Sequence, residues 1–139
     1  MKHIDEIRVY YADTDAYGVV WHGAYLRWLE AGRIEYTDKV LGLDLKKMQD
    51  DGCILPVVEL NIKYKLSAKL DENLVLETEV EELRPSAITF KQTLKNKDTG
   101  VVNILATVTC VAVDTSTNRM FRRLPDFITN AYNERIAMA

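Results

Sequence analysis

Cysteine is scarce in this chain, which has only Cys53 and Cys110 among its 139 residues. Two cysteines this far apart are too few for a zinc site or a disulfide framework. Both lie in apolar, strand-like stretches, so we expect two buried and reduced thiols. The sequence therefore predicts neither a bound metal nor a cofactor.

Basic charge and long apolar runs are lacking as well. The chain has 18 Lys and Arg against 21 Asp and Glu, a net charge of -3, which argues against a general nucleic-acid binder. The net charge does not exclude an anionic small ligand, because an acidic protein can carry a local basic patch. The N-terminus carries acids within its first six residues and no apolar block, unlike a signal peptide, and no stretch is long enough to span a bilayer. We expect a soluble, cytoplasmic protein.

Repeats, low-complexity tracts and linkers are absent too, so we expect one domain over residues 1–139. Alternating residues predict a first strand over 7–11, and helical spacing predicts a helix over 22–39. Asp44 is the expected N-cap of a short second helix, and a terminal helix should begin at Pro125 or Asp126 and reach Arg135. Four later strands are predicted at 54–66, 74–81, 88–95 and 101–113.

This order of elements predicts an α+β fold. One helix of about 17 residues cannot cover five strands on both faces, but it fits lengthwise against one face of a curved sheet. The expected architecture is a hotdog fold, a five-stranded antiparallel sheet wrapped around one long central helix. The uncovered face and the exposed sheet edges then favour association with a second copy.

The most unusual segment is the polar loop between the first strand and the helix. It contains Asp13 and Asp15, followed by Gly18, which permits close backbone approach. The helix start at His22 offers unpaired amides and the positive end of the helix dipole, and Gly23 leaves room beside the first turn. A carboxylate next to such donors can cleave an activated acyl group. An aspartate in this position is more commonly an N-cap or Asx-turn residue, so the local pattern leaves both interpretations open.

The complete motif around this loop favours the catalytic interpretation over the capping one. It resembles the signature of the 4-hydroxybenzoyl-CoA thioesterase family, and most closely its YbgC-type acyl-CoA thioesterase branch. The matching residues are Tyr11, Asp13, Thr14, Asp15, Gly18, Val19, Val20, His22 and Tyr25. The following segment Leu29–Tyr36 resembles the helix of that branch, including Glu30 and Arg33 of its E-x-x-R pattern. The order of elements agrees with the family over essentially the whole chain.

The resemblance implies a role for each matching residue. Asp15 corresponds to the catalytic carboxylate, a nucleophile or a general base. His22 corresponds to the residue whose backbone N–H polarises the thioester carbonyl, and its imidazole can assist proton transfer. Asp13 is expected to hold the loop. The expected substrate contacts are Gly18, Val19, Val20, Trp21 and Tyr25. Trp21 replaces a tyrosine that is usual in the branch, and Tyr17 precedes Gly18 where a glycine or alanine is common, so the acyl pocket is where this chain differs.

The resemblance also implies partners. The substrate carrier would be CoA or an acyl-carrier protein, and the assembly a homodimer or a dimer of dimers, a homotetramer. Candidates for contact with the CoA phosphates are Lys63, Lys65, Lys69, Arg119, Arg122 and Arg123. For any single one of these six, an ordinary solvated surface charge is the favoured interpretation.

The function that follows is hydrolysis of an acyl-CoA thioester to a free acid and CoA. One alternative is a non-catalytic module that binds acyl-CoA or an acyl-carrier protein. Another is a hotdog dehydratase or hydratase, which the lack of any histidine beyond His22 disfavours. The length and the aromatic or aliphatic character of the acyl group stay open.

Overall fold

The computed structural model describes residues 1–137. In this part of the chain the strands are β1 Lys2–Arg8, β2 Cys53–Ile54, β3 Val57–Tyr64, β4 Asn73–Arg84, β5 Ala87–Asn96, β6 Val102–Cys110, β7 Val113–Asp114 and β8 Arg119–Met120. The α-helices are α1 His22–Lys39, α2 Leu45–Asp50 and α3 Asp126–Tyr132. A 3-10 turn, Tyr11–Asp13, precedes α1, and a π-helical turn, Asn133–Ala137, follows α3. Among these elements no helix combines the length and the apolar character needed to cross a membrane.

The main sheet confirms the predicted antiparallel arrangement. Its five strands are ordered β1-β4-β5-β6-β3, and every neighbouring pair is antiparallel. Alternate residues of β4 are buried, while Glu77 between them pairs with Lys95 of β5 at 3.0 Å. Pairs of opposite charge across neighbouring strands stabilise a sheet. The two edges of the sheet are β1 and β3.

The structure confirms only in part the predicted architecture of one long helix wrapped by the sheet. Helix α1 has 18 residues and packs on β1 and β4. At 1.5 Å per residue it spans roughly 27 Å, whereas the 12 residues of β4 span roughly 40 Å at 3.3 Å per residue. The helix is therefore shorter than β4, and other elements cover the rest of the sheet.

The core divides along α1 into two clusters. The first, which we call the N-terminal core, surrounds Tyr25 and Leu29 and includes Val9, Val20 and Leu74. The second, the C-terminal core, surrounds Tyr36 and includes residues of α2, α3 and the small sheet, among them Met48, Cys53, Phe121 and Ile128. The small sheet has the order β2-β7-β8. These short elements close the end of the sheet that α1 does not reach.

Two of the predicted strands prove to be interrupted. The predicted strand 54–66 is divided between β2 of the small sheet and β3 of the main sheet, with Pro56 between them. The predicted strand 101–113 is divided in the same way into β6 and β7. The two segments pass from one sheet to the other side by side, because the amide of Val111 donates to the carbonyl of Pro56 at 3.1 Å. Pro56 has no amide to give to a ladder, which suits this crossing.

The first strand was predicted over 7–11 but spans Lys2–Arg8, because the chain turns into the 3-10 turn at Tyr11. The other local predictions are largely confirmed. Asp44 caps α2 by accepting from the amides of Lys46 and Lys47 at 3.0 and 3.2 Å. Cys53 and Cys110 are free and buried. Helix α3 begins at Asp126 but ends at Tyr132, before the predicted end at Arg135, because the chain continues as the π-helical turn. Residues 138 and 139 of the predicted domain lie outside the described residues.

Candidate active site

Asp13 fixes both ends of the loop between β1 and α1. Its side chain is only 7% exposed. One carboxylate oxygen accepts from the amide of Tyr10 at 3.0 Å, and the other accepts from Nη2 of Arg27 at 2.7 Å. The carbonyl of Asp13 accepts from the amide of Trp21 at 3.1 Å. Asp13 therefore holds the loop against the second turn of α1, as the sequence predicted.

Asp15 lies at the exposed tip of the same loop. Its amide donates to the carbonyl of Val19 at 2.9 Å, and its carbonyl accepts from the amide of Gly18 at 3.1 Å, closing a tight turn. Gly18 has a φ of +78°, a conformation that favours glycine. One carboxylate oxygen of Asp15 accepts from the amide of Tyr17 at 2.8 Å in an Asx turn. Among residues 1–137, no donor hydrogen-bonds to the second oxygen.

The first turn of α1 presents free amides. Trp21 occupies the N-cap position without a side-chain cap hydrogen bond, and its carbonyl accepts from Ala24 at 3.1 Å. In the described chain, the amides of His22 and Gly23 have no hydrogen-bond partner. The indole of Trp21 lies on Gly23, because a Cβ built there would come within 2.0–2.6 Å of three atoms of that ring. Only glycine accommodates the indole in this position.

An aromatic group flanks the helix start. The exposed ring of His22 makes an edge contact with Tyr64 of β3, with ring centroids 5.7 Å apart. Tyr64 also contacts Tyr25 at 5.8 Å, and Tyr25 contacts Trp28 at 5.7 Å. The hydroxyl oxygen of Tyr25 accepts from the amide of Ala68 at 2.9 Å. Burial raises the pKa of Tyr25, so its hydroxyl is neutral at ordinary pH.

The predicted substrate contacts fall into two groups. Gly18 and Trp21 are exposed, and Val19 is half-buried. Val20 and Tyr25 are 5% and 4% exposed and belong to the N-terminal core. The structure brings these residues to one loop–helix junction. It shows no hydrogen bond, within residues 1–137, from Asp15 to His22 or to the first amides of α1, so the predicted pairing of these groups stays a prediction.

The six basic candidates for phosphate contact are all exposed, and they lie in two places. Lys63, Lys65 and Lys69 lie on or just after β3, on either side of Tyr64 and Ala68. Arg119 belongs to β8, and Arg122 and Arg123 follow it. Only the three lysines are close in sequence to a residue that contacts His22.

A group of potential metal ligands lies away from this loop. His3 and Asp5 of β1 and Glu35 of α1 bring their ligand atoms within 4.8 Å of one another. Nε2 of His3 contacts Oδ1 of Asp5 at 3.0 Å, and Glu35 pairs with Lys39 at 2.9 Å. These contacts already engage all three candidate ligands, and no residue of the loop joins them.

Two residues of this site were missed by the sequence analysis. Arg27 lies on the exposed side of α1, and its side chain is 68% exposed, but its tip binds Asp13. Tyr64 was treated only as part of a strand, although it contacts both His22 and Tyr25. An arginine just after an acidic loop was a usable signal for the first. The contact of Tyr64 depends on tertiary packing and had no local signal.

Taken together, the junction holds an exposed carboxylate with one free oxygen, two free amides at a helix N-terminus and an exposed imidazole. A helix N-terminus stabilises an oxyanion through its amides and its dipole. A carboxylate can attack an acyl carbon or activate water, and an imidazole can transfer a proton near neutral pH. These are the groups that acyl transfer to water requires.

Comparison with known proteins agrees with this chemistry. Residues 9–132 match the thioesterase-like superfamily. The acyl-CoA thioesterase YbgC of Haemophilus influenzae is 37% identical over 105 residues, which cover 76% of this chain and 77% of that protein. The putative acyl-CoA thioesterase YneP of Bacillus subtilis is 35% identical over 127 residues, covering 89% and 91%. The crystal structure of a DHNA-CoA thioesterase from Staphylococcus aureus superposes with a TM-score of 0.87 at 31% identity, covering 99% of this chain and 92% of that one. The chain thus belongs to the thioesterase-like superfamily, among the YbgC-type acyl-CoA thioesterases.

Proposed function

We propose that this protein hydrolyses acyl-CoA thioesters to a free acid and CoA, as one hotdog domain. The observation that carries the proposal is the junction itself, where the free amides of His22 and Gly23 begin a helix that follows the exposed carboxylate of Asp15. The names of the relatives, acyl-CoA thioesterases at 35% and 37% identity, support the same reaction.

In the proposed mechanism, the thioester carbonyl oxygen binds the free amides at the start of α1. The developing negative charge is stabilised there by two N–H donors and by the helix dipole. Asp15 either attacks the carbonyl carbon to form an acyl anhydride or removes a proton from an attacking water. The exposed imidazole of His22, held edge-on by Tyr64, is available to protonate the departing thiolate.

The proposed acyl contacts begin with Trp21, whose indole lies on Gly23 beside the free amides. Gly18 has open space around it, since a Cβ placed there would meet no atom within 4 Å. Val19 follows it at the half-buried edge of the loop. Val20 and Tyr25 are buried, so their part is to shape the floor of the site from the N-terminal core.

The CoA phosphates are assigned to Lys63, Lys65 and Lys69. These three exposed side chains make no ion pair with any acid in residues 1–137. They lie on β3 and the segment after it, next to Tyr64, which contacts His22. Lysine is well suited to phosphate as a compact point charge. An acyl-carrier protein, with its phosphopantetheine arm, could use the same lysines. An assay with acyl-CoAs and with the matching acyl-carrier proteins distinguishes the two carriers.

The proposed assembly is a homo-oligomer in which a second copy covers β3. This edge strand exposes its ladder and a row of apolar side chains, and unprotected edges of this kind commonly pair with another strand. The exposed apolar residues are Val57, Val58, Leu60, Tyr64 and Leu66. Light scattering of the wild type and of Leu60→Lys tests this, because the charge should lower the oligomer's mass if β3 is the interface.

The decisive experiment is Asp15→Asn. Asparagine keeps an oxygen that can accept from the Tyr17 amide, so the loop should fold as before while the carboxylate charge is lost. We expect turnover to fall by about 100-fold or more, the scale of losing a catalytic acid or base. The assay follows release of free thiol from short aliphatic, long aliphatic and aromatic acyl-CoAs and from the matching acyl-carrier proteins.

The control for this experiment is Asp98→Asn, at an exposed aspartate in the β5–β6 turn. It should retain wild-type turnover. If Asp15→Asn also retained near wild-type turnover on a good substrate, Asp15 would have no catalytic role. Wild-type binding of acyl-CoA without any thiol release would instead identify a non-catalytic binding module.

A single turnover in oxygen-18 water distinguishes the two roles proposed for Asp15. Label found in the carboxylate of Asp15 supports the anhydride, since hydrolysis of that intermediate can place solvent oxygen on the enzyme. Label found only in the product acid favours direct attack of water with Asp15 as general base. Mass spectrometry of the peptide containing Asp15 reads out the difference.

A further inference from the structure

The segment that joins β3 to β4, residues 65–72, lies beside the loop that carries Asp15. The backbone amide of Val20 in that loop donates to the carbonyl of Ala68 at 2.9 Å. Val19 and Lys69 form an isolated antiparallel bridge next to this hydrogen bond. The β3–β4 segment therefore pairs with the end of the loop as a short strand would.

The same end of the loop also supports Asp15. The amide of Asp15 donates to the carbonyl of Val19 at 2.9 Å, and Thr14 forms an antiparallel bridge with Val20. Val19 and Val20 thus lie between the β3–β4 segment on one side and the backbone of Asp15 on the other. A displacement of the segment would move the Asp15 turn with it.

The hydroxyl of Tyr25 connects this segment to α1. It accepts from the amide of Ala68 at 2.9 Å, and Tyr25 and Ala68 are only 4% and 0% exposed. Tyr25 lies three residues after His22, at the start of the helix. Ala68 is therefore held from both sides, through its amide by the helix and through its carbonyl by the loop. Because both residues are buried, water does not compete for the hydrogen bond to Tyr25.

The β3–β4 segment is itself fixed to the main sheet and to the chain after β1. At its beginning, the amide of Lys65 donates to the carbonyl of Asn103 at 2.8 Å, and the side-chain amide of Asn103 donates to the carbonyl of Leu66 at 2.9 Å. Toward its end, the amide of Asp71 donates to the carbonyl of Val9 at 3.1 Å. A segment held at both ends can serve as a rigid base for the loop and the helix start.

A carboxylate and a pair of helix amides act together only at a fixed separation, since a misplacement of about 1 Å can cost about 100-fold in rate. Within residues 1–137 no hydrogen bond joins Asp15 to the first amides of α1, so this separation is set indirectly. We propose that Tyr25 is a positioning residue for thioester hydrolysis, whose hydroxyl fixes the start of α1 relative to Asp15 through Ala68. This inference rests on the proposed function.

The first test is Tyr25→Phe, which removes the hydroxyl and keeps the ring contacts with Tyr64 and Trp28. We expect kcat to fall at least about tenfold while KM changes less than about twofold, because the geometry of the reacting groups is lost rather than a substrate contact. A rise in KM with unchanged kcat would identify Tyr25 as a substrate contact and overturn the inference.

The matched control is Tyr36→Phe, at another buried tyrosine of α1. Its hydroxyl donates to the carbonyl of Met1 at 3.2 Å and lies in the C-terminal core, away from the loop. Both variants lose one buried hydroxyl and should lower Tm by similar amounts, but only Tyr25→Phe should lower kcat. Equal kcat in the two variants would show that the hydroxyl of Tyr25 has no special role in the reaction.

A double variant tests whether Tyr25 acts through Asp15. Once Asp15→Asn has removed the carboxylate, adding Tyr25→Phe should lower kcat no further, because no carboxylate is left to position. A further loss of about tenfold would mean that Tyr25 acts independently of Asp15, against the inference. Near wild-type turnover in Asp15→Asn alone would refute the catalytic role of Asp15 and this inference with it. Wild-type kcat in Tyr25→Phe, with Asp15→Asn inactive, would refute only the inference.

Amide hydrogen exchange tests the same connection and needs no variant for its first step. In the wild type, the amides of Ala68 and Val20 should exchange slowly, because each donates a hydrogen bond in the interior. In Tyr25→Phe, both should exchange faster while amides in β5 stay slow. Fast exchange at Ala68 in the wild type, or unchanged exchange at both amides in the variant, would show that the hydroxyl does not hold this segment.

Discussion

The two halves of α1 differ in whether the charged side chain beside them is neutralised. Beside the first half, the buried carboxylate of Asp13 is neutralised by Arg27 and also accepts from a backbone amide. Beside the second half, Arg33 contacts only the neutral amide of Gln92. The first half keeps its free polar groups at the surface, in Asp15 and at the helix start. The second half keeps its free polar group inside, beside a cavity.

This contrast separates two uses of polar groups on one helix. Compensating Asp13 makes the loop rigid, which suits a site whose reactive groups must be held in place. Leaving Arg33 uncompensated leaves a local cost in the folded state. Substitutions in the first half should therefore change activity more than stability, whereas substitutions in the second half should change stability.

The largest effect on stability is expected from Gly32→Ala, in the middle of α1. A Cβ there would come within 2.6 Å of Cδ2 of Leu76 and 3.1 Å of Nε2 of Gln92. Because both neighbours are buried in the sheet, the helix must move away, at a cost of about 3 kcal/mol. Denaturant unfolding measures it.

Gly23→Ala is the matched substitution at the start of the same helix. Its Cβ would meet only the ring of Trp21, which is 49% exposed and can swing into solvent. We expect a loss of stability below about 1 kcal/mol. Thioesterase activity should fall about tenfold, because the indole would no longer lie beside the free amides. A larger stability loss in Gly23→Ala than in Gly32→Ala would contradict the contrast between the two halves.

The next largest effect is expected from Gln92→Leu. The change leaves Arg33 without its acceptor and removes the side-chain donor to the carbonyl of Leu29, so we expect a loss of about 2 kcal/mol. If the uncompensated charge is the cause, adding Arg33→Met should restore part of that stability. Strict additivity of the two changes in a double-mutant cycle would show that the charge of Arg33 is not the source of the cost.

Asp13→Asn should have a smaller effect on stability, about 1 kcal/mol, because asparagine can still accept from Tyr10 or Arg27 without the charge. The change should be local. Amide hydrogen exchange at Tyr10 and Trp21 should accelerate while exchange in β5 stays slow. Faster exchange spread evenly over the chain would show that Asp13 stabilises the whole fold rather than its loop.

The same contrast explains how far the sequence could predict the structure. The β4–β5 hairpin and the cap at Asp44 follow from local patterns, in which side chains a few residues apart determine the outcome. The loop-holding role of Asp13 was implied by the family resemblance, and its partner Arg27 lies 14 residues away in the sequence. The change of sheet at Pro56 and Val111 could not be predicted, because alternation shows which face a residue occupies but not which sheet its strand joins. The cavity at Arg33 depends on α1, α2 and β6 meeting, so no segment alone contains its signal. In the same way, the pairing of Asp15 with the helix amides rests on family resemblance rather than on an observed contact.

The smallest effect is expected from Glu77→Gln on β4, which belongs to neither half of α1. A hydrogen bond from Lys95 holds the pKa of Glu77 below its usual value of 4.5, with burial opposing and Lys2 assisting. A carboxylate with a lowered pKa in the folded state stabilises the protein above its unfolded pKa, and this contribution is lost as the pH falls through the folded pKa. The wild type should therefore melt slightly above the variant at pH 7, and the difference should disappear as the pH falls from 4.5 through the lowered pKa of Glu77. A difference in Tm that stayed constant over this range would mean that packing, rather than charge, connects β4 to β5 at Glu77. Because Glu77 does not contact the loop of Asp15, the variant should retain thioesterase turnover.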